Sequence, residues 1–578
     1  MQTKAPWLSS YKNVPHSLNY PDCSMFQLIQ DNAKNYQDYI AYEFMGHKVT
    51  YQKFIENVHT CAKGLKVLGF KPGDRITICM PNTPQGVTMF YAINLMGCIS
   101  NMIHPLSSEG EIKFYLNHSH SKGILILDAF LPKLENIIWE TPDLEKVMVA
   151  SISTELNFIK KVGFKLTKGK KIPKIPRRDN ITLYSTLMEM GQDYTGEYVV
   201  QKKADDPAAI LYSGGTTGTT KGIILTNLNF NSLAMQTIAA GDCVIKGHKM
   251  LSIMPIFHGF GLGVCIHTML VGICRCILVP QFSVETYAQL LKKVQPNYIA
   301  GVPTLYEALL RSKNMKNVNL ACLEGVFSGG DSLSIELKRK VDTFLREHHA
   351  TVQIREGYGT TECVTASCLT PKSFFKEGSI GIPFPDTFYK IVKASTKNQI
   401  PYGDEGEICI SGPSVMKEYL DNLEETEAVL QLHEDGRIWL HTGDLGTMDD
   451  EGFVYYKQRL KRMIISSGYS IYPSQLENII DAHPDVLMCT VIGVPDPYKV
   501  QKVKAFVVLK NGVSPNDDVR ESISQHCVKN IAKYAMPYEF EFRDNLPQTL
   551  VGKVAYTVLE KEELANLAEK NKLQKKNS

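Results

Sequence analysis

Apolar residues recur at helical spacing over 51–68, where Phe54, Val58, Cys61, Leu65 and Leu68 share one face, so the spacing predicts an amphipathic helix. The turn Lys71-Pro72-Gly73-Asp74 ends it, and 75–80 then reads as a short apolar strand. A second helix over 86–96 stops at Gly97. Short apolar strands recur at 123–127, 298–302, 323–327 and 352–357, and this alternation predicts a layered α/β architecture with largely parallel sheets. A hairpin at Gly403-Asp404-Glu405-Gly406 leads into a strand that Ser411-Gly412-Pro413 closes, adding a small β subdomain. Beyond a boundary near 458–461 the pattern tightens, with strands over 463–466, 487–494 and 503–509 and helices over 474–482 and 519–531. Ser474 and Glu477 have the spacing of a capping box that would start the first of these helices. The expectation is a large N-terminal domain over 1–458 and a small α+β domain over 459–578, whose charged tail frays after a final helix.

Composition narrows the class. A chain of 578 residues is too long for one core, and 44% apolar with 21% charged residues is ordinary for a soluble enzyme. A net charge of +3, without an aromatic-plus-basic stripe, gives no nucleic-acid footprint. The fourteen cysteines include no CxxC, so neither a zinc site nor a redox dithiol is signalled, and a reducing compartment follows. No secretory h-region is visible in 1–12, and a cytoplasmic location is expected. The apolar stretch 259–274 is too short for a membrane span and contains His267, so it reads as a buried helix. The 158–178 stretch carries nine Lys or Arg and no acid. It reads first as a solvated insertion, and its interleaved Phe158, Ile159, Val162, Phe164 and Leu166 would also suit peripheral contact with an anionic membrane.

The candidate chemistry centres on one loop, Ser213-Gly214-Gly215-Thr216-Thr217-Gly218-Thr219-Thr220-Lys221-Gly222, between two predicted strands. Its glycines let backbone amides approach a polyanion, its hydroxyls donate hydrogen bonds, and Lys221 supplies a charge. The P-loop order is absent, because Thr220 precedes the lysine and Gly222 follows it. Ser328-Gly329-Gly330-Asp331 follows a strand, where α/β sheets admit flat ligands. In Glu356-Gly357-Tyr358-Gly359-Thr360-Thr361-Glu362, Tyr358 offers a stacking face, Thr361 a donor to phosphate and Glu362 a hard oxygen for Mg²⁺. His258 and Phe260 stand among Gly259, Gly261 and Gly263, which would leave volume for an apolar tail. Asp444 offers a carboxylate to a vicinal diol.

Together these motifs resemble the acyl-adenylate-forming superfamily, and most closely its long-chain fatty acid–CoA ligases, over about 51–559. The resemblance implies ATP, Mg²⁺ and coenzyme A as cofactor and co-substrates and a fatty acid as substrate. It assigns nucleotide and phosphate contacts to Ser213, Gly214, Gly215, Thr216, Thr217, Gly218, Lys221, Gly329, Gly330, Glu356, Gly357, Tyr358, Gly359 and Thr361. By the same resemblance Mg²⁺ falls to Glu362 with Ser213, the ribose to Asp444 and Arg459, a hinge to Lys461, the pantetheine path to Gly468 and the acyl pocket to His258 and Phe260. Lys553, in Val551-Gly552-Lys553, matches the mobile catalytic lysine, acting with Glu362 and Thr217. Thr220 replaces the usual proline, and Ile465 stands where some relatives carry lysine. An aryl or medium-chain ligase, a carrier-protein-loading ligase and a non-enzymatic nucleotide sensor share parts of this pattern. Chain length and oligomeric state are not written in it.

Overall fold

The computed structural model describes residues 5–156, 172–173, 175–213, 220–466, 469–549 and 552–577. Much of the basic stretch at 158–178, the loop residues 214–219 and Gly468 lie outside the described residues.

Two large sheets carry the α/β layers. One has eight strands, with the parallel strands Ile99–Met102, Arg75–Cys79, Gly123–Leu127, Lys146–Ala150 and Ile181–Leu183 at its centre and far edge. Its other edge turns antiparallel, as Pro207–Ser213 pairs with Lys221–Thr226, which in turn pairs with the two-residue strand Glu418–Tyr419. The second sheet has nine strands, and Arg275–Leu278, Lys249–Ser252, Tyr298–Gly301, Gly325–Ser328 and Ile354–Tyr358 run parallel through its middle. These strands are almost wholly buried, because helices cover both faces. The helix Tyr51–Val67 lies under this layer with Phe54, Val58, Cys61 and Leu65 fully buried, as its spacing predicts. Thr50 caps its start by accepting from the Lys53 N–H.

A third sheet is antiparallel throughout: Phe388–Val392, Gly406–Ser411, Ile438–Met448 and Leu430–Leu432 in order, with Val454–Arg459 paired to Ile438–Met448. The fourth sheet is built from Ile464–Ser466, Tyr469–Ile471, Val486–Asp496, Val500–Leu509 and Glu539–Phe542. It has its own core around Val491, Val503, Ala505, Val507, Ile523 and Phe540. The fold is therefore a mixed α/β body with a small β sheet and a compact α+β portion at the C-terminal end.

Three local expectations are corrected. Ser474 and Glu477 do not form a capping box: the helix Pro473–Asp481 begins with proline in its first turn, and its N-cap Tyr472 makes no side-chain cap bond. Instead the Ser474 hydroxyl donates to the carbonyl of Lys457, and Glu477 takes the guanidinium of Arg462. Interactions between the third sheet and the last portion outcompete the local cap. The stretch at 259–274 is buried, but residues Phe260–His267 form a π-helix before the short α-helix Thr268–Val271. The charged tail continues as one helix, Tyr556–Asn577.

All fourteen cysteines are free, and only Cys23 and Cys322 are partly exposed. Among the described residues, no helix is long and apolar enough to cross a membrane.

Candidate active site

The site forms where the C-terminal ends of strands from the second sheet meet the third sheet and the turn Thr549–Lys553. The strand Gly325–Ser328 runs into Gly329 and Gly330, and Ile354–Tyr358 runs beside it in register. Gly330 has φ +82°, which lets the chain turn sharply away from the strand end. A Cβ added there would lie 3.4 Å from Lys553 Cε and 3.9 Å from its Nζ, so the absence of a side chain at 330 makes room for the lysine.

Lys553 is held by its own turn. Its N–H donates to Thr549 Oγ1 (3.1 Å), its carbonyl accepts from the Thr549 N–H (2.7 Å), and the Gly552 carbonyl accepts from Thr304 Oγ1 (2.6 Å) across to the helix Pro303–Arg311. Burial draws the ammonium's pKa below its ordinary range, while Asp331, Asp444 and Glu362 oppose that shift. Burial, then the nearby Lys553 charge, pushes His258 down to about 3, so its imidazole is neutral. The Phe260 N–H donates to His258 Nδ1 (3.2 Å), which leaves the proton on Nε2.

The predicted diol carboxylate has firm partners. Asp444 Oδ2 accepts from the Tyr358 hydroxyl (2.7 Å), and Arg459 Nε lies 3.1 Å from Oδ1, with the two residues paired across their strands. Behind them, Glu407 accepts from the Gly443 N–H (3.0 Å) and pairs with His441 Nδ1 (2.9 Å). With Cys409, these two side chains form a buried cluster whose potential ligand atoms lie within 4.8 Å of one another, drawn from strands whose residues follow no paired-cysteine spacing. Its visible work is to hold the Thr442-Gly443-Asp444 turn.

The Glu356 side chain points inward. Its carboxyl is buried and accepts from the Leu333 N–H (3.2 Å), bracing the chain just past Asp331, and burial raises its pKa to about 8. Two β-branched residues just beyond Cys363, Val364 and Thr365, adopt φ +52° and +81°, a strain of about 1–3 kcal/mol each.

Glu362 and Lys221 are brought together by a residue that sequence reading does not find. The turn Thr361–Cys363 packs against both strands that flank the glycine-rich loop, where Ser213 and Lys221 are register partners. Tyr419, on the edge strand beside Lys221–Thr226, donates its hydroxyl to Glu362 Oε1 (2.8 Å), and Lys221 Nζ lies 4.7 Å from the centroid of the same ring. Lys221 also forms an ion pair with Glu425. Glu362 offers a carboxylate oxygen of the hard kind that suits Mg²⁺, and the turn that carries it packs against the strand that ends at Ser213, so these residues fit that ion.

An apolar cavity of about 50 Å³ lies against Gly329 and Gly330. Phe260, Val264, Met269, Phe327, Leu369 and Phe384 line it, and Gly329, Gly330 and Gly357 complete its wall. Phe260 thus lines this cavity, and His258 lies close enough to Lys553 to feel its charge. The neighbouring glycines do not supply open volume: a Cβ at Gly259 would lie 2.0 Å from Thr365 Oγ1, one at Gly261 2.1 Å from the Pro255 carbonyl, and one at Gly263 2.8 Å from Leu233. They permit the π-helix to press against its neighbours. Lys461 lies in the 3-10 turn Leu460–Arg462, directly after Arg459.

The chain is similar in sequence and fold to known enzymes. The AMP-binding enzyme family matches residues 29–420, and the AMP-binding enzyme C-terminal domain matches 475–553. The chain is 34% identical to the long-chain-fatty-acid–CoA ligase of Bacillus subtilis, covering 98% of this chain and 99% of that one. It is 31% identical to the enzyme of the same name from Escherichia coli O6:H1, covering 95% and 97%. A probable 4-coumarate–CoA ligase 1 of Dictyostelium discoideum is 29% identical over 79% of this chain and 80% of its own. Among solved structures, the anthranilate CoA ligase AuaEII in complex with anthranoyl-AMP superposes with a TM-score of 0.81 at 22% identity, covering 96% and 99%. ATP-bound MatB from Rhodopseudomonas palustris gives 0.80 at 24%, covering 94% and 99%.

Proposed function

We propose, from the premise that this chain belongs to the AMP-binding enzyme family, that it activates a fatty acid with ATP and transfers the acyl group to coenzyme A. The observation that carries the reading is the junction at Gly330, which forms part of the wall of the apolar cavity and also makes room for the Lys553 side chain. A carboxylate whose tail fills the cavity would present its head to that cation.

In the first step a carboxylate oxygen attacks the α-phosphorus and pyrophosphate leaves. Two anions meet there, and Lys553 offsets their repulsion in a site where partial burial strengthens each charge interaction. Asp444, held by Tyr358 and Arg459, takes the ribose hydroxyls. Lys221 and the hydroxyls of the glycine-rich loop hold the outer phosphates. Mg²⁺ at Glu362 and Ser213 supplies charge neutralisation to those phosphates when bound. In the second step the thiol sulfur of coenzyme A attacks the acyl carbonyl, AMP leaves, and the thiol proton passes to solvent.

One lysine cannot serve the first step and leave room for a thiol in the second. The reading therefore places a domain boundary at 458/459, with 459–578 rotating about Lys461 and Gly468 joining the pantetheine path. The 158–178 stretch belongs to the same reading as a contact with anionic membrane, where a sparingly soluble acid is collected.

The test is a series of acids from acetate to oleate with ATP and coenzyme A, read as AMP formation. Each buried methylene contributes about 0.8 kcal/mol, so kcat/KM should climb about fourfold per CH₂ from butyrate to at least dodecanoate. A preference for benzoate or coumarate over dodecanoate would replace the fatty-acid assignment with an aryl one and leave the adenylation chemistry standing.

A further inference from the structure

Lys221 is the cation expected to hold the outer phosphates, yet in this structure it already has an anion. Glu425 pairs with it directly, and the ring of Tyr419 lies beneath it. Glu425 is not a loosely placed surface acid. It sits in the first turn of the helix Leu423–Val429, and its N–H donates to the side chain of the N-cap Asn422 (3.1 Å). The next residue, Thr426, uses its hydroxyl twice, donating to the Asn422 carbonyl (2.8 Å) and accepting from the Tyr419 N–H (2.9 Å). One short network thus fixes the strand that carries Tyr419 and the helix that carries Glu425 against each other. Tyr419 in turn ties the lysine to Glu362 through its 2.8 Å hydroxyl bond.

From this geometry we infer that Glu425 is a resident counter-anion for Lys221, which competes with the polyphosphate for the lysine and so speeds the departure of pyrophosphate. The inference rests on the reading above that Lys221 holds the outer phosphates. Two consequences of the geometry support it. The pair is partly exposed, with Lys221 at 21% and Glu425 at 46% side-chain exposure, so an incoming phosphate can reach the lysine and displace the carboxylate at small cost. And the carboxylate is held on a capped helix, so it remains at hand to recapture the lysine once the α–β bond has broken. A grip without such a competitor would hold its product as tightly as its substrate, and coenzyme A could not follow until that product had gone.

Glu425→Gln removes the charge and keeps the size. The prediction is a fall in the inhibition constant of pyrophosphate by about fivefold, the upper range for a partly exposed ion pair, with KM for ATP falling in the same direction. Single-turnover acyl-AMP formation should be retained while steady-state thioester formation slows. Glu427→Gln, on the same helix, is the charge control and should leave both constants unchanged. Glu425→Asp provides a second reading of the same constants should the glutamine variant fold poorly, with a shift in the same direction and smaller. Unchanged constants would overturn the inference, and so would a rise, which would make Glu425 a support for the lysine. Acid-dependent ATP–pyrophosphate exchange by the unaltered enzyme keeps the two readings apart. Its absence would sink the proposed function itself, whereas exchange with unaltered constants in the variants would sink only the role of Glu425.

Discussion

Glu356 shows how a residue in a recognisable motif acquires a role that the motif does not describe. The carboxyl faces inward to the Leu333 N–H, and burial raises its pKa from 4.5 to about 8, with Lys338 opposing the shift. The folded protein then holds a proton at this group that the unfolded chain has lost, across the window from about 4.5 to about 8. Stability from this residue is complete below the lower value and declines as pH rises through the upper one. Glu356→Gln keeps an acceptor for Leu333 and has no proton to lose. Its stability relative to the parent protein should therefore grow from about pH 4.5 to about pH 8 and level off above that in denaturant titrations, and a gap that stays constant would refute the assignment. The motif residues Tyr358, Glu362, Asp444 and Arg459 were legible because their chemistry travels with short, distinctive neighbours. Tyr419 and Glu425 were not, since their importance comes from an edge strand pairing with residues some two hundred positions earlier.

The π-helix Phe260–His267 is the element that shapes the cavity, and its position depends on close backbone contact. Gly259→Ala would place a methyl carbon 2.0 Å from Thr365 Oγ1 and 3.3 Å from the Val364 backbone, both already in left-handed conformations. The helix must retreat or Thr365 must turn, and either motion moves Phe260, which lines the cavity. We expect kcat/KM for dodecanoate to fall at least tenfold, with a smaller loss for a short acid such as butyrate; equal losses for both would point to general misfolding. Regular helices and strands were visible because their periods of 3.6 and 2 leave a clear apolar stripe. The π-helix was read only as a buried helix, since a segment apolar on every side carries no stripe. The misread cap at Ser474 has a related origin, because sequence spacing records which bonds are near and not which partner across the molecule binds more strongly.

The two ends of the molecule meet at the seam where Thr304 donates to the Gly552 carbonyl and Ser474 to the Lys457 carbonyl. The first bond docks the turn that carries Lys553, and in the proposed cycle it belongs to the adenylation step. Thr304→Val preserves shape and removes the donor, leaving the Gly552 carbonyl to water or without a partner. A neutral hydrogen bond contributes about 1 kcal/mol, so acyl-AMP formation should slow by about fivefold. Thioester formation from synthetic acyl-AMP should be unaffected or slightly faster. Equal slowing of both half-reactions would show that Thr304 supports the fold and not the docked arrangement. The layered architecture was predictable from alternating helices and strands; which faces meet at this seam was not, because such contacts are fixed by shape and by single polar pairs.

The distribution of thiols has a practical consequence for watching that seam at work. Twelve of the fourteen sulfhydryls are buried, leaving Cys23 and Cys322 as the ones a maleimide dye can reach on the intact protein. Replacing those two by serine gives a background that is silent to labelling without disturbing any cross-link, since every cysteine is free. Trp139 and Tyr498, 91% and 94% exposed and on opposite sides of the proposed boundary, are then natural positions for cysteines that carry a donor and an acceptor fluorophore. Energy transfer between them would turn a chemical cycle into a distance trace, reporting each swing of the C-terminal portion in real time.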